Sequence, residues 1–244
     1  MTLELYITPE CNQNCSYCYL QKYKEELYPS AINDKEVILK NLKIILQYCV
    51  DNNIHPNNTD IFTGEIWDTE FGMEILEVIL EYIKKGFRTR KIMIPSNFSF
   101  ILNDDYASRI ENYRIEYEKY DGIALKFSCS NDGYYIDKET RPFYNTDKND
   151  LKDTEEFYDK MFKFCQRNNY AFHPMVSAHG IEYWKENFKW WMETLQKYGF
   201  DPLHCIMFLE TRNNDWTEEK IIHYLDYVNY AFDYYYHELF HDND

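Results

Sequence analysis

Six short β-like runs alternate along this chain with longer helical patterns, and that alternation limits the fold more than any other feature. The runs are Leu3–Thr8, Thr59–Thr63, Lys91–Pro95, Ile123–Ser128, Phe172–Ser177 and Leu203–Glu210. Each is short, rich in β-branched or aromatic residues, and bounded by turn formers. Between them lie apolar residues at helical spacing. Asn33 with Glu36 reads as a capping box before Val37, Ile38, Leu42, Ile45 and Cys49. Asp68 opens a second helix that stops at Gly86, and a weaker one covers about Asp104–Lys119. Asp153 or Thr154 opens the next, and Glu182–Tyr198 follows, ended by Gly199. Asp215 with Glu218 caps a final aromatic helix.

Strands that alternate with helices of this length pair in parallel through right-handed crossovers. The expected class is therefore α/β, as an open doubly wound sheet or an incomplete barrel with outer helices. Both build their sites from loops that follow the carboxyl ends of the strands. The chain reads as one domain over 1–244, with strand–helix units over about 3–210 and the aromatic helix over about 216–239. The polar stretch Gly133–Asp150 has no clear period and reads as a long loop.

Charge narrows the partners. Forty-two acidic against 26 basic side chains leave a net charge of −16. That field repels phosphate backbones, and no Lys/Arg-rich stretch offers an exception, so nucleic acid is not an expected partner. A basic peptide or protein would be attracted. No apolar run reaches the roughly 18 residues that span a bilayer, which excludes a membrane helix. The first residues lack the basic and apolar regions of a signal peptide. Seven cysteines, with three packed into Cys11–Cys18, do not form a secreted disulfide framework. A reducing cytoplasm is expected.

The three clustered thiols carry the chemistry. Cys11, Cys15 and Cys18 follow the first strand at spacings of four and three, a loop able to wrap a compact iron–sulfur cluster with each thiolate on one iron. Four-iron clusters normally take four cysteines, so three leave one iron open to an outside ligand. Zinc is the competing reading, but it wants four ligands, and neither a second CxxC nor an HxxxH lies nearby. Cys49, Cys129, Cys165 and Cys205 are singletons that read as small buried hydrophobes.

Cys11-x3-Cys15-x2-Cys18 after Leu5-Tyr6-Ile7-Thr8 resembles the radical S-adenosylmethionine superfamily, and Cys11-Asn12…Cys15-x-Tyr17-Cys18-Tyr19 resembles its peptide-maturase and sulfatase-maturing branch. The resemblance implies an incomplete (β/α)6 barrel, one 4Fe–4S cluster on Cys11, Cys15 and Cys18, and S-adenosylmethionine chelated at the open iron. Reductive cleavage to a 5'-deoxyadenosyl radical would follow. Phe62-Thr63-Gly64-Glu65 is similar to the family's Gly-Gly-Glu motif, with Thr63 in place of the first glycine and Ile66-Trp67 in place of the following proline. It implies that Gly64 and Glu65 bind the cofactor, Glu65 through its ammonium group. Pro95-Ser96-Asn97 is similar to a Thr-Asn that closes the third strand, and Ser130-Asn131-Asp132-Gly133 with Arg141 to a Ser-Leu-Asp-Gly…Arg stretch. Asn97, Ser130, Asp132 and Arg141 are thereby further cofactor-binding candidates, with turn formation the plain alternative for Asn97 and Asp132. His179 reads as a polar loop residue or a general acid, and His173 as structural.

The resemblance also implies a peptide or protein substrate and a reductant such as flavodoxin or ferredoxin. The cysteine-rich SPASM domain of that branch and a leader-recognition domain are expected to be absent. Two other functions fit less well: an activating enzyme for a glycyl-radical partner, and a non-catalytic protein that binds a metal or cluster. Ile221, Tyr224, Leu225, Val228, Ala231, Phe232, Tyr235 and Leu239, at helical spacing, read as the packing face of the last helix. Tyr227, Tyr230, Tyr234 and Tyr236 are left for an exposed one.

Overall fold

The computed structural model describes residues 1–28, 34–144, 151, 154–201, 207–209 and 215–239. Strands β1 (Thr2–Tyr6), β2 (Asn58–Phe62), β3 (Lys91–Ser96) and β4 (Ala124–Cys129) fall within one or two residues of the runs read from sequence. With β5 (Ala171–Phe172) they form a five-stranded sheet in the order β1-β2-β3-β4-β5. The registers are parallel, Leu5 opposite Ile61, Thr59 opposite Ile92 and Phe127 opposite Ile94. After the cysteine segment come two four-residue turns, α1 (Tyr19–Lys22) and α2 (Lys24–Leu27). The crossovers that parallel pairing demands are α3 (Lys35–Asp51), α4 (Glu70–Lys84) and α5 (Asp104–Glu118). This is the expected α/β architecture, parallel strands with surrounding helices, of an incomplete barrel.

One strand departs from expectation. Phe172–Ser177 is not continuous: β5 ends at Phe172, and β6 (Met175–Val176) pairs in parallel with β7 (Phe208–Leu209) as a separate two-stranded sheet. Pro174 explains the break, since it has no N–H for a ladder. Of the run Leu203–Glu210, residues 203–206 and 210 lie outside the described residues, and Cys205 with them.

The chain divides into two compact units. Met1–Gln13, Cys18–Ser130 and Arg167–Tyr170 make the first, and Asn14–Tyr17, Asn131–Gln166 and Ala171–Asp244 the second. In the first, Leu5, Ile61, Ile92, Ile94, Leu125 and Phe127 bury one side chain after another along the strands. Phe127 packs edge-on against Trp67, Phe98 and Phe100, with Tyr170 beside it. Helix α3 buries Ile38, Leu42, Leu46 and Cys49 and leaves Val37 and Ile45 exposed, so its covered face is turned relative to the one read from sequence. Asp34 caps it, accepting from Glu36 N at 2.9 Å, while Asn33 lies outside the described residues. Thr69, not Asp68, caps α4 by accepting from Gly72 N.

In the second unit the loop after β4 holds a short helical turn, α6 (Asp137–Thr140), and residues 145–150 lie outside the described residues. Then come α7 (Glu155–Asn168), α8 (Trp184–Lys197) and α9 (Glu218–Tyr234), the last running into a π-helical turn at Tyr235–Leu239. Thr154 accepts from Phe157 N at the start of α7. Thr217 caps α9 through Lys220 N, so Asp215 is not the cap.

Helix α9 packs in part through tyrosines expected on its exposed side: Tyr227 is buried and Tyr230 and Tyr234 are half-buried, while Tyr224, Ala231 and Tyr235 of the expected packing face are half-buried too. Tyr227, Tyr230, Tyr234 and Tyr235 converge edge-on around Phe188 of α8, their ring centroids 5.5–6.1 Å from it. Ile221, Leu225, Val228 and Phe232 of the expected packing face are exposed instead, and Tyr236 is exposed as expected. A tyrosine ring buries more area than an aliphatic side chain and gains from edge-to-face geometry, so tyrosines take the packed positions against Phe188. Cys49, Cys129 and Cys165 are buried among apolar neighbours, as expected. Among the described residues, no helix is long and apolar enough to cross a membrane.

Candidate functional site

In the first unit the loops after β1, β2 and β3 interlock. Ile7 N donates to Phe62 O at 2.9 Å, and Gly64 N to Thr8 O at 2.8 Å, so the two chain segments stay side by side past the strand ends. A Cβ at Gly64 would lie 1.8 Å from Glu10 O, closer than any side chain can approach backbone. The freedom that Gly64 provides is thus taken up by the root of the cysteine loop. Thr63, which stands where the similar motif has its first glycine, donates its hydroxyl to Thr8 O at 3.1 Å and reinforces the same join.

Glu65 follows directly and is 5% exposed. The Ser96 hydroxyl lies 3.0 and 2.9 Å from its two carboxylate oxygens, and Asn97 N donates to Oε2 at 2.6 Å. Donors of this kind fix the direction of a carboxylate. Asn97 Nδ2 in turn donates to Asn12 Oδ1 at 2.7 Å, and Asn97 Oδ1 accepts from Ser99 N at 2.8 Å. Asn12 Nδ2 reaches Ser99 Oγ at 2.7 Å and Asp68 Oδ2 at 3.1 Å. Between Asn97 and Ser99, Phe98 holds φ at +62°, a left-handed conformation that costs a bulky residue strain and clusters at functional sites. Glu65 and Asn97 are therefore brought together, with Asn12 and Ser96 added. Asn12 carries no role in the sequence reading, where it stands only as part of the cysteine motif beside Cys11. Ser130 sits half-buried at the end of β4, its N donating to Ser96 O at 2.8 Å.

The second unit gathers the other candidates. Asp132 is wholly buried. Its Oδ1 accepts from Met175 N at 2.8 Å, and its Oδ2 from the Tyr17 hydroxyl at 2.5 Å and the Thr140 hydroxyl at 2.7 Å. Its own N donates to Asp137 Oδ1 at 2.6 Å, and its O accepts from Asn187 Nδ2 and Trp191 Nε1. Gly133, at φ +107°, leaves no room for a side chain: a Cβ would meet Asn187 Oδ1 at 2.5 Å and Trp191 Nε1 at 2.6 Å. Arg141 Nη1 donates to the Tyr17 hydroxyl at 2.9 Å, and its Nε lies 3.5 Å from Asp137 Oδ1.

Burial governs the protonation of this cluster. It pushes the Tyr17 hydroxyl well above the usual tyrosine range, so Tyr17 stays a neutral donor. It also raises Asp132, against the pull of the Arg141 charge. Burial alone would depress Arg141, yet Cys15 first, then Tyr17, Asp132 and Asp137, face it and push it well above the arginine range. A permanent cation therefore stands near the Cys15 sulfur. Elsewhere in this unit, His179 Nε2 lies 3.2 Å from Asp215 Oδ2 at the surface, and His173 sits half-buried between β5 and β6.

Cys11, Cys15 and Cys18 are half-buried thiols, and Cys11 Sγ accepts from Gln13 N at 3.4 Å. Among the described residues, no three His, Cys, Asp or Glu side chains converge to hold one metal ion. A polynuclear cluster takes each thiolate on a different iron and needs no convergence on one point, and backbone N–H donation to sulfur suits thiolate ligands. The residues fit such a cluster.

The fold is similar to that of SuiB from Streptococcus suis, a structure solved with S-adenosylmethionine bound. The TM-score is 0.52 at 14% identity, over 96% of this chain and 44% of SuiB, so the chain spans less than half the length of that protein. No family model matches the sequence. No curated protein matches it either.

Proposed function

We propose that this chain is a radical S-adenosylmethionine enzyme that acts on a peptide or protein side chain. One observation carries the reading: a Cys-x3-Cys-x2-Cys loop leaves the first strand of a parallel α/β sheet, and Gly64-Glu65 leaves the second strand packed against that loop's root. A fold shared with a protein solved with S-adenosylmethionine supports it.

Cys11, Cys15 and Cys18 would hold one 4Fe–4S cluster with an open iron. Bound there, the cluster supplies the electron for cleaving the cofactor's sulfonium. Glu65 accepts hydrogen bonds from the cofactor's ammonium, its oxygens already aimed by Ser96 and by Asn97 N. Gly64 keeps that glutamate close to the cysteine loop. Asn97 and Ser130 contribute polar groups at neighbouring strand ends, and Asp132 and Arg141 shape the segment that carries Cys15. A polypeptide substrate is supported by the likeness of the cysteine motif to the maturase branch and by the chain's acidity, which favours a basic peptide. A protein reductant such as flavodoxin or ferredoxin supplies the electron.

The test is anaerobic reconstitution with iron and sulfide, then reduction in the presence of S-adenosylmethionine. Release of 5'-deoxyadenosine is expected. Glu65→Gln should keep the iron but bind the cofactor about tenfold to a hundredfold more weakly, the worth of one charged hydrogen bond of about 1.5–3 kcal/mol. No 5'-deoxyadenosine from iron-loaded wild-type protein would refute the reading.

A further inference from the structure

We infer that the segment Asn14–Tyr17 is clasped in place by the protein itself, and that Tyr17, Asp132 and Thr140 are positioning residues for Cys15. Both backbone amides flanking Cys15 are tied to one stretch: Asn14 N donates to Pro142 O at 2.8 Å and Ser16 N to Thr140 O at 2.9 Å. The Tyr17 side chain closes the clasp, donating to Asp132 Oδ2 at 2.5 Å while accepting from Arg141 Nη1 at 2.9 Å. The Arg141 guanidinium also lies over the Tyr17 ring, 6.0 Å from its centroid.

What Tyr17 grips is itself rigid. Asp132 is held by Met175 N on one oxygen and by the Thr140 hydroxyl on the other, and its backbone is fixed at both N and O. Thr140 thus acts twice, through its carbonyl on Ser16 and through its hydroxyl on Asp132. Short cysteine loops that lack such bonds usually take shape only when metal binds. Here each residue around Cys15 has a partner within the protein, so its sulfur is placed in advance. Ligands placed by outer partners bind metal more tightly, and losing one such partner typically weakens binding about 10–100-fold.

The inference rests on the proposed cluster for its purpose but not for its existence, and two measurements separate these. The first is amide hydrogen exchange on cluster-free protein. Asn14 and Ser16 should be protected in the wild type and exchange about tenfold faster in Tyr17→Phe and Thr140→Val, while Thr140→Ser restores protection. Exchange of both wild-type amides at open-loop rates would overturn the clasp. The second is iron release from reconstituted protein to a chelator, expected about tenfold faster in Tyr17→Phe and Thr140→Val and rescued by Thr140→Ser. Release at the wild-type rate from both variants would overturn the positioning role. Wild-type protein that takes up no iron sinks the radical-enzyme reading, and the positioning role with it, while exchange still decides the clasp.

Discussion

Glu65 and Asp132 are both buried carboxylates in loops that leave a strand, yet they are held in different ways. Glu65 meets a hydroxyl and a backbone N–H from the end of β3. Asp132 ties three separate stretches of chain, at Tyr17, Thr140 and Met175, and faces the Arg141 charge. The difference separates an acid that is aimed from an acid that binds the chain to itself. Loss of Asp132 should damage the fold first, and loss of Glu65 should damage ligand binding first.

The largest expected effect follows from that contrast. Asp132→Ala removes one of the two buried acids that face Arg141 and releases three donors, which should cost about 3–5 kcal/mol in denaturant unfolding. Glu65→Gln keeps the shape and most of the hydrogen bonds, and should cost about 1 kcal/mol. Equal losses would break the comparison. A smaller effect sharpens it on α9. Tyr227 is 8% exposed and packs against Phe188 and Trp184, so Tyr227→Ala should cost about 3 kcal/mol. Phe232 is 67% exposed, and Phe232→Ala should stay within about 0.5 kcal/mol. The reverse order would mean that the aliphatic face is the packed one after all.

Much of the fold was legible because β1 to β4 are continuous runs bounded by turn residues, and strand period and length suffice to find them. The fifth run misled because its residue types suit a strand while Pro174 withholds the N–H that would continue it. On α9 the spacing marks two apolar faces and says nothing about which one is covered. That choice depends on Phe188, which stands far away in sequence and receives the tyrosines. For the site, spacing singles out the cysteines, whereas Gly64 and Glu65 stand out through their place after the second strand and their likeness to a family motif. The partnership of Tyr17 with Asp132 spans 115 positions, and that of Asn12 with Asn97 spans 85, so neither leaves a local trace. Gly64 was legible as a glycine of close approach, but the atom that approaches it, Glu10 O, required the fold.

Electron paramagnetic resonance of the anaerobically reconstituted, reduced protein tests the central claim most directly. The expected result is the signal of one four-iron cluster per chain, altered on addition of S-adenosylmethionine and absent in Cys15→Ala. A wild-type protein that gives no cluster signal, or one whose signal ignores the cofactor, would contradict it.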